Sequence, residues 1–121
     1  MTRILVVDDD PDARLLLETV LRAYRCEVES ASDGREAIER TKFGSLDGIF
    51  LDLRMPGMGG LDALDVLRRE HPHLTIIVTS ASLIDDVGAE VKGRGADAYL
   101  PKPVILSELR AVLNEFFGWY A

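Results

Sequence analysis

Residues 4–21 read Ile4-Leu-Val-Val-Asp-Asp-Asp-Pro-Asp-Ala-Arg-Leu-Leu-Leu-Glu-Thr-Val-Leu21. Four apolar residues in a row, three of them β-branched, predict a short strand covered on both faces, because a half-exposed strand alternates apolar with polar residues. Asp10-Pro11 then predicts a helix start. The aspartate accepts from an otherwise free N–H, and proline at the first helical position lacks an N–H that would be unpaired anyway. Beyond it, Leu16, Leu17, Val20, Leu21 and Tyr24 recur three and four apart, as one apolar stripe of a helix. The stretch is therefore a strand, a tight acidic turn and a helix.

The same unit recurs along the chain. Further strands are expected at Val28 to Ser30, Gly48 to Leu51, Ile76 to Thr79 and Ala98 to Leu100, the first at Ile4 to Val7. Leu61, Leu64 and Leu67 form one helical stripe, and Leu109, Val112, Leu113 and Phe116 form another. Ile84 to Arg94 has only Val87 and Val91 as strong apolar anchors, so its helix is expected to be the least secure and the most mobile. Asp33 and Ser107 are candidate caps, and Gly57, Gly59 and Gly60 mark a loop between strand and helix. Five such repeats with short connections imply an α/β fold, a parallel sheet with right-handed crossovers and helices on both faces. At 121 residues one domain is expected, with no second domain after Ala121. The aromatic cluster Phe116, Phe117, Trp119, Tyr120 is read as the end of the last helix packing on the sheet, with a dimer contact or a linker as the alternative.

Composition narrows the function classes. Of the residues, 47% are apolar and 29% charged, and the apolar ones come in short runs, so no membrane segment is expected. A net charge of -7 argues against direct nucleic-acid binding, which depends on clustered Lys and Arg. The N-terminal apolar run meets three aspartates at once, which fits neither a signal peptide nor an anchor, and a cytoplasmic location is expected. Cys26, the single cysteine, excludes an internal disulfide and is read as packing.

Open α/β sheets bind ligands beyond the carboxyl ends of their strands. Here the first strand ends in Asp8-Asp9, the third in Asp52, the fourth in Thr79-Ser80, and the fifth leads into Pro101-Lys102-Pro103. Carboxylates gathered there repel, and a hard divalent cation with oxygen ligands, Mg²⁺, is the natural remedy. Asp52, between Ile49-Phe-Leu51 and a Met-Pro-Gly turn, sits where an unpaired charge is costly. His71 and His73, flanking Pro72 at a helix exit, are read as surface residues. Taken singly, Asp8 and Asp9 also suit a helix cap, and Lys102 suits a solvated loop. The combination carries the specificity.

Ile4-Leu-Val-Val-Asp-Asp9, Leu51-Asp-Leu-Arg-Met-Pro-Gly57 with Gly60, Ile76-Ile-Val-Thr-Ser-Ala81 and Ala98-Tyr-Leu-Pro-Lys-Pro103 match, in order and spacing, the receiver domain of bacterial two-component response regulators. The chain resembles that family over essentially all its length. The resemblance implies a five-stranded parallel sheet in order 2-1-3-4-5, flanked by five helices. It implies that Asp52 accepts a phosphoryl group from a histidine kinase or histidine phosphotransfer protein. Asp9, Asp52 and the backbone carbonyl of Arg54 would bind Mg²⁺ directly, with Asp8 acting partly through water. Ser80, with Thr79 as the rival, takes the Ser/Thr switch position, Tyr99 the aromatic switch position, and Lys102 the place of the family's lysine, usually followed by a cis peptide to a proline such as Pro103. The implied output is a downstream protein or a fused effector domain. The implied chemistry is limited to the domain's own phosphorylation and slow dephosphorylation. Gly59 departs from the pattern, since many relatives carry Asp there, which bears on loop rigidity and not on the acceptor.

Three other readings compete. A haloacid-dehalogenase-type phosphatase also uses a strand-end Asp and Mg²⁺, but it wants a second Asp two residues on, where Arg54 stands. A flavodoxin-like FMN carrier needs a first loop rich in Ser, Thr and Gly, and three aspartates are electrostatically wrong for phosphate. A receiver-like interaction module that is never phosphorylated has no need of the full acid, hydroxyl and lysine set.

Overall fold

The computed structural model describes residues 2–54, 59–81 and 87–118. Strands and helices alternate: β1 (Arg3–Val7), α1 (Pro11–Ala23), β2 (Glu27–Ala31), α2 (Gly34–Arg40), β3 (Gly48–Asp52), α3 (Gly60–Glu70), β4 (Thr75–Ser80), α4 (Val87–Gly93), β5 (Ala98–Pro101) and α5 (Leu106–Phe117). All five strands are parallel, in the order β2-β1-β3-β4-β5. The expected strands are present, each a residue or two longer than the stretch that predicted it.

Strand alternation divides the core in two. Ile4, Val6, Phe50 and Ile77 face Leu17 and Leu21 of α1 and Leu109, Val112 and Leu113 of α5. On the other face, Leu5, Ile49, Leu51 and Val78 meet Ala37 of α2, Leu64 and Leu67 of α3, and Val87 and Val91 of α4. Each buried leucine or isoleucine contributes about 1.5–3 kcal/mol relative to exposure, so the two layers hold the sheet rigidly between them. Phe116 and Phe117 pack on the α1/α5 layer as expected, while Trp119 and Tyr120 lie outside the described residues. Cys26 is buried, and burial raises its thiol pKa.

Local signals explain most boundaries. Asp10 caps α1 by accepting from the Asp12 amide, and Asp33 caps α2 by accepting from the Glu36 amide. Ser107 does not cap α5. The backbone is extended only as far as Ile105, Leu106 opens the helix, and Ser107 falls inside its first turn. Gly118, at φ 67°, ends α5 in the left-handed conformation that glycine adopts without steric cost. Of the helix expected at Ile84 to Arg94, α4 from Val87 falls on described residues, and residues 82–86 lie outside them.

Two readings are corrected by the packing. Leu16 is 55% exposed beside Leu15 at 58%, because the rotation of α1 aims Leu17 and Leu21 at the sheet and leaves the preceding pair outside. His71 is half-buried at the end of α3, and its Nε2 is enclosed with no hydrogen-bond partner among the described residues; His73 is exposed as expected. No helix among the described residues is long and apolar enough to cross a membrane.

Candidate functional site

The chain runs from β1 outward to β2, then returns to place β3 on the other side of β1. The crevice at that reversal is where ligands bind in open α/β sheets. Val7 lies opposite Leu51 in the ladder, so the residues that follow emerge side by side. One carboxylate oxygen each from Asp8, Asp9 and Asp52 falls within 4.8 Å of the others. Asp8 and Asp52 are only 1% and 3% exposed, while Asp9 faces solvent.

Hydrogen bonds hold the two buried acids. The Asp10 amide donates to Asp8 Oδ1 at 3.0 Å, and the Arg54 amide donates to Asp52 Oδ1 at 3.2 Å. Lys102 enters from the β5–α5 connection, where its own amide donates to the Ser80 carbonyl at 2.9 Å and its peptide bond to Pro103 is cis. Its Nζ lies 2.6 Å from Asp8 Oδ2 and 3.3 Å from Asp52 Oδ2. All the acids expected at this edge and the expected lysine are therefore together.

Burial pushes the Asp52 carboxyl up to about 6, against the Arg54 amide, which lowers it; Asp8 adds to the rise, and Lys102 opposes it. Burial also works against the Lys102 ammonium, but its hydrogen bond to Asp8 and the nearby charge of Asp52 outweigh this, so its pKa is raised. One ammonium facing three carboxylates leaves the cluster negative. The donors are all oxygens, two of them on buried and hydrogen-bonded side chains, and this set fits a hard divalent cation.

Ser80 and Thr79 are both buried at the end of β4, and strand parity separates them. Thr79 shares parity with Ile77 on the α1/α5 face and lies opposite Asp52 in the ladder. Ser80 shares parity with Val78 on the other face, where Tyr99 also packs. The Tyr99 hydroxyl reaches the Ser80 carbonyl at 3.4 Å, and its half-buried ring lies against Gly88 of α4. Ser80 also lines a cleft of about 430 Å³ with Leu53, Arg54, Gly59 and Val87. Gly59 is the N-cap of α3 and offers no side-chain capping bond, the local consequence of lacking Asp there. Gly60 allows a close approach, since a Cβ there would fall 2.4 Å from Leu53 Cα.

Two features at or near the site escape a sequence reading, one a side chain and one a cleft. Arg14 of α1 donates from Nη1 to the Asp8 carbonyl at 2.7 Å. A second cleft, of about 340 Å³, runs between α1 and the β5–α5 connection, lined by Asp8, Ala13, Leu16, Lys102, Pro103 and Val104. Leu16 on this cleft, Leu15 beside it in the chain, and Ile105 and Leu106, which follow Val104, are exposed at 55%, 58%, 53% and 47%. Leu15, an apolar residue off the stripe of α1, was the available signal.

Comparison with known proteins gives one answer. Residues 4–114 match the family model described as the response regulator receiver domain. The transcriptional regulatory protein PrrA of Mycobacterium tuberculosis is 42% identical over 110 residues, which are 90% of this chain and 47% of PrrA. The chain spans about half the length of that relative. Among solved structures, the response regulator TrrA of Thermotoga maritima, in complex with Mg²⁺ and BeF, superposes with a TM-score of 0.87 at 32% identity, over 97% of this chain and 100% of that one. The receiver domain of Ssk1 of Saccharomyces cerevisiae, crystallised with the histidine phosphotransfer protein Ypd1, superposes with a TM-score of 0.87 at 26% identity, over 95% of this chain and 88% of that one. With sequence, sheet order and crevice all agreeing, the chain belongs to the response regulator receiver domain family.

Proposed function

We propose that this receiver domain, taken as residues 1–121, accepts a phosphoryl group on Asp52 from a phosphohistidine of a histidine kinase or phosphotransfer protein. An Asp52 oxygen attacks phosphorus in line as the phosphorus–imidazole nitrogen bond breaks. The imidazole leaves with the bonding pair and takes up a proton. Asp9, Asp52 and the carbonyl of Arg54 would hold Mg²⁺, with Asp8 supporting the site. A bound Mg²⁺ supplies neutralisation of the phosphoryl oxygens as the group transfers. Lys102 and the Ser80 hydroxyl hold other phosphoryl oxygens. The observation carrying this reading is the Lys102 ammonium set between the buried carboxylates of Asp8 and Asp52, at 2.6 and 3.3 Å, with the exposed Asp9 completing the three-carboxylate cluster.

The exposed apolar side chains of Leu15, Leu16, Ile105 and Leu106 are the seat of the donor protein, a reading supported by Leu16 lining the cleft shared with Asp8 and Lys102 and by Ile105 and Leu106 following Val104, which lines it too. The complex of Ssk1 with Ypd1 supports a donor of this class. Once Asp52 is phosphorylated, Ser80 moves toward the new anion and Tyr99 rotates further inward. That alters the α4-β5-α5 surface read by an output protein or fused effector domain. The chemistry ends with phosphorylation and slow hydrolysis of its own acyl phosphate.

Incubation with Mg²⁺ and acetyl phosphate tests this. One phosphoryl group is expected in the intact mass, lost with EDTA and absent from Asp52→Asn. No adduct, or an adduct retained by that variant, would refute it.

A further inference from the structure

We propose that Arg14 is a positioning residue for the cation site, acting through the Asp8 carbonyl on the placement of the Asp9 carboxylate. The inference rests on the phosphorylation reading given above. Asp9 is the one exposed acid of the three, so its placement depends on the backbone that carries it. That backbone is held at several points. The Asp8 amide donates to the Ala31 carbonyl at 3.1 Å, and the Arg14 amide donates to the Asp10 carbonyl at 3.0 Å. The Asp12 amide donates to Asp10 Oδ1 at 3.0 Å. The carbonyl of Asp8 belongs to the peptide leading into Asp9, and there Arg14 Nη1 supplies the bond, at 2.7 Å. A charge-assisted bond to this carbonyl fixes the plane of the Asp8–Asp9 peptide and hence the direction in which Asp9 leaves it.

The guanidinium is also a cation beside an acidic cluster, and this gives the proposal an opposite. By Coulomb's law alone, its removal lowers repulsion toward a divalent cation and tightens binding. By positioning, its removal lets the peptide turn and weakens binding.

The test is a Mg²⁺ titration followed by amide chemical shifts in the wild type, Arg14→Gln and Arg14→Lys. The glutamine variant is expected to bind on the order of tenfold more weakly, as loss of a residue supporting a metal ligand does. The lysine variant keeps a donor and is expected to recover part of the loss. Phosphorylation by acetyl phosphate should return to the wild-type rate at saturating Mg²⁺, which a general folding defect would not permit. Unchanged or tighter binding in Arg14→Gln overturns the proposal. A wild type whose Asp8, Asp9 and Asp52 amides ignore Mg²⁺ overturns the phosphorylation reading itself, and this role with it.

Discussion

Replacing Asp52 with Asn is expected to stabilise the metal-free protein. The Asp52 carboxyl rises from its ordinary 3.8 to about 6 in the fold, chiefly by burial. A carboxyl whose folded pKa lies above its unfolded value binds more protons when native, so its ionised form opposes folding. This penalty is present above the folded value and fades as the pH falls through about 6 toward 4. A rise of about two units corresponds to about 3 kcal/mol. Asn keeps the size and can still accept from the Arg54 amide, but it loses the ion pair with Lys102. The expected net gain is therefore about 1–3 kcal/mol, a rise in Tm of about 4–12 °C for a chain of this length. Urea unfolding in EDTA at pH about 7.5 and again at about 4.5 measures it: the variant leads at the higher pH, and the gap shrinks at the lower. Mg²⁺ should then stabilise the wild type more than the variant, because it binds the native carboxylates. A variant equal to or weaker than the wild type in EDTA, or a gap indifferent to acid, would refute the reasoning.

Two further substitutions probe side chains outside the Asp8, Asp9 and Asp52 cluster itself. Leu16→Glu, at an exposed position on the cleft rim, is expected to slow phosphotransfer from a histidine phosphotransfer protein at least tenfold while leaving acetyl phosphate labelling within about twofold, as charge at an apolar contact should. Equal effects on both donors would place the donor protein elsewhere. Arg68→Met should cost about 2–4 kcal/mol in urea unfolding, because Arg68 bonds the carbonyls of His71, Pro72, Leu74 and Gly95 and the Asp97 carboxylate, which itself accepts from the Ile76 amide. A loss under about 0.5 kcal/mol would show that water replaces those bonds.

The fold and the acidic crevice were legible because both are written in side-chain types. Apolar runs at Ile4 to Val7 and Gly48 to Leu51 are too short for helices, and each is closed by an acid, so strand and site were announced together. Arg14 and Arg68 were not legible, since their principal partners are main-chain carbonyls that every residue possesses. Leu16 fits the apolar spacing of α1, and only the rotation set by Leu17 and Leu21 against the sheet leaves it outside. Ser107 has the chemistry of a cap, but a cap must also stand at the last extended residue, and that is Ile105. His71 was read as a surface residue at the helix exit, yet the bonds from Arg68 and Leu74 to its carbonyl fold it back against the end of α3.

The most direct measurement is the position of the phosphoryl group. Borohydride reduction after acetyl phosphate treatment converts an acyl phosphate to the alcohol, so peptide mass spectrometry should find homoserine in place of Asp52 and intact aspartate at positions 8 and 9. Reduction at Asp8 or Asp9, or phosphate retained on Ser80 or Thr79, would contradict the account.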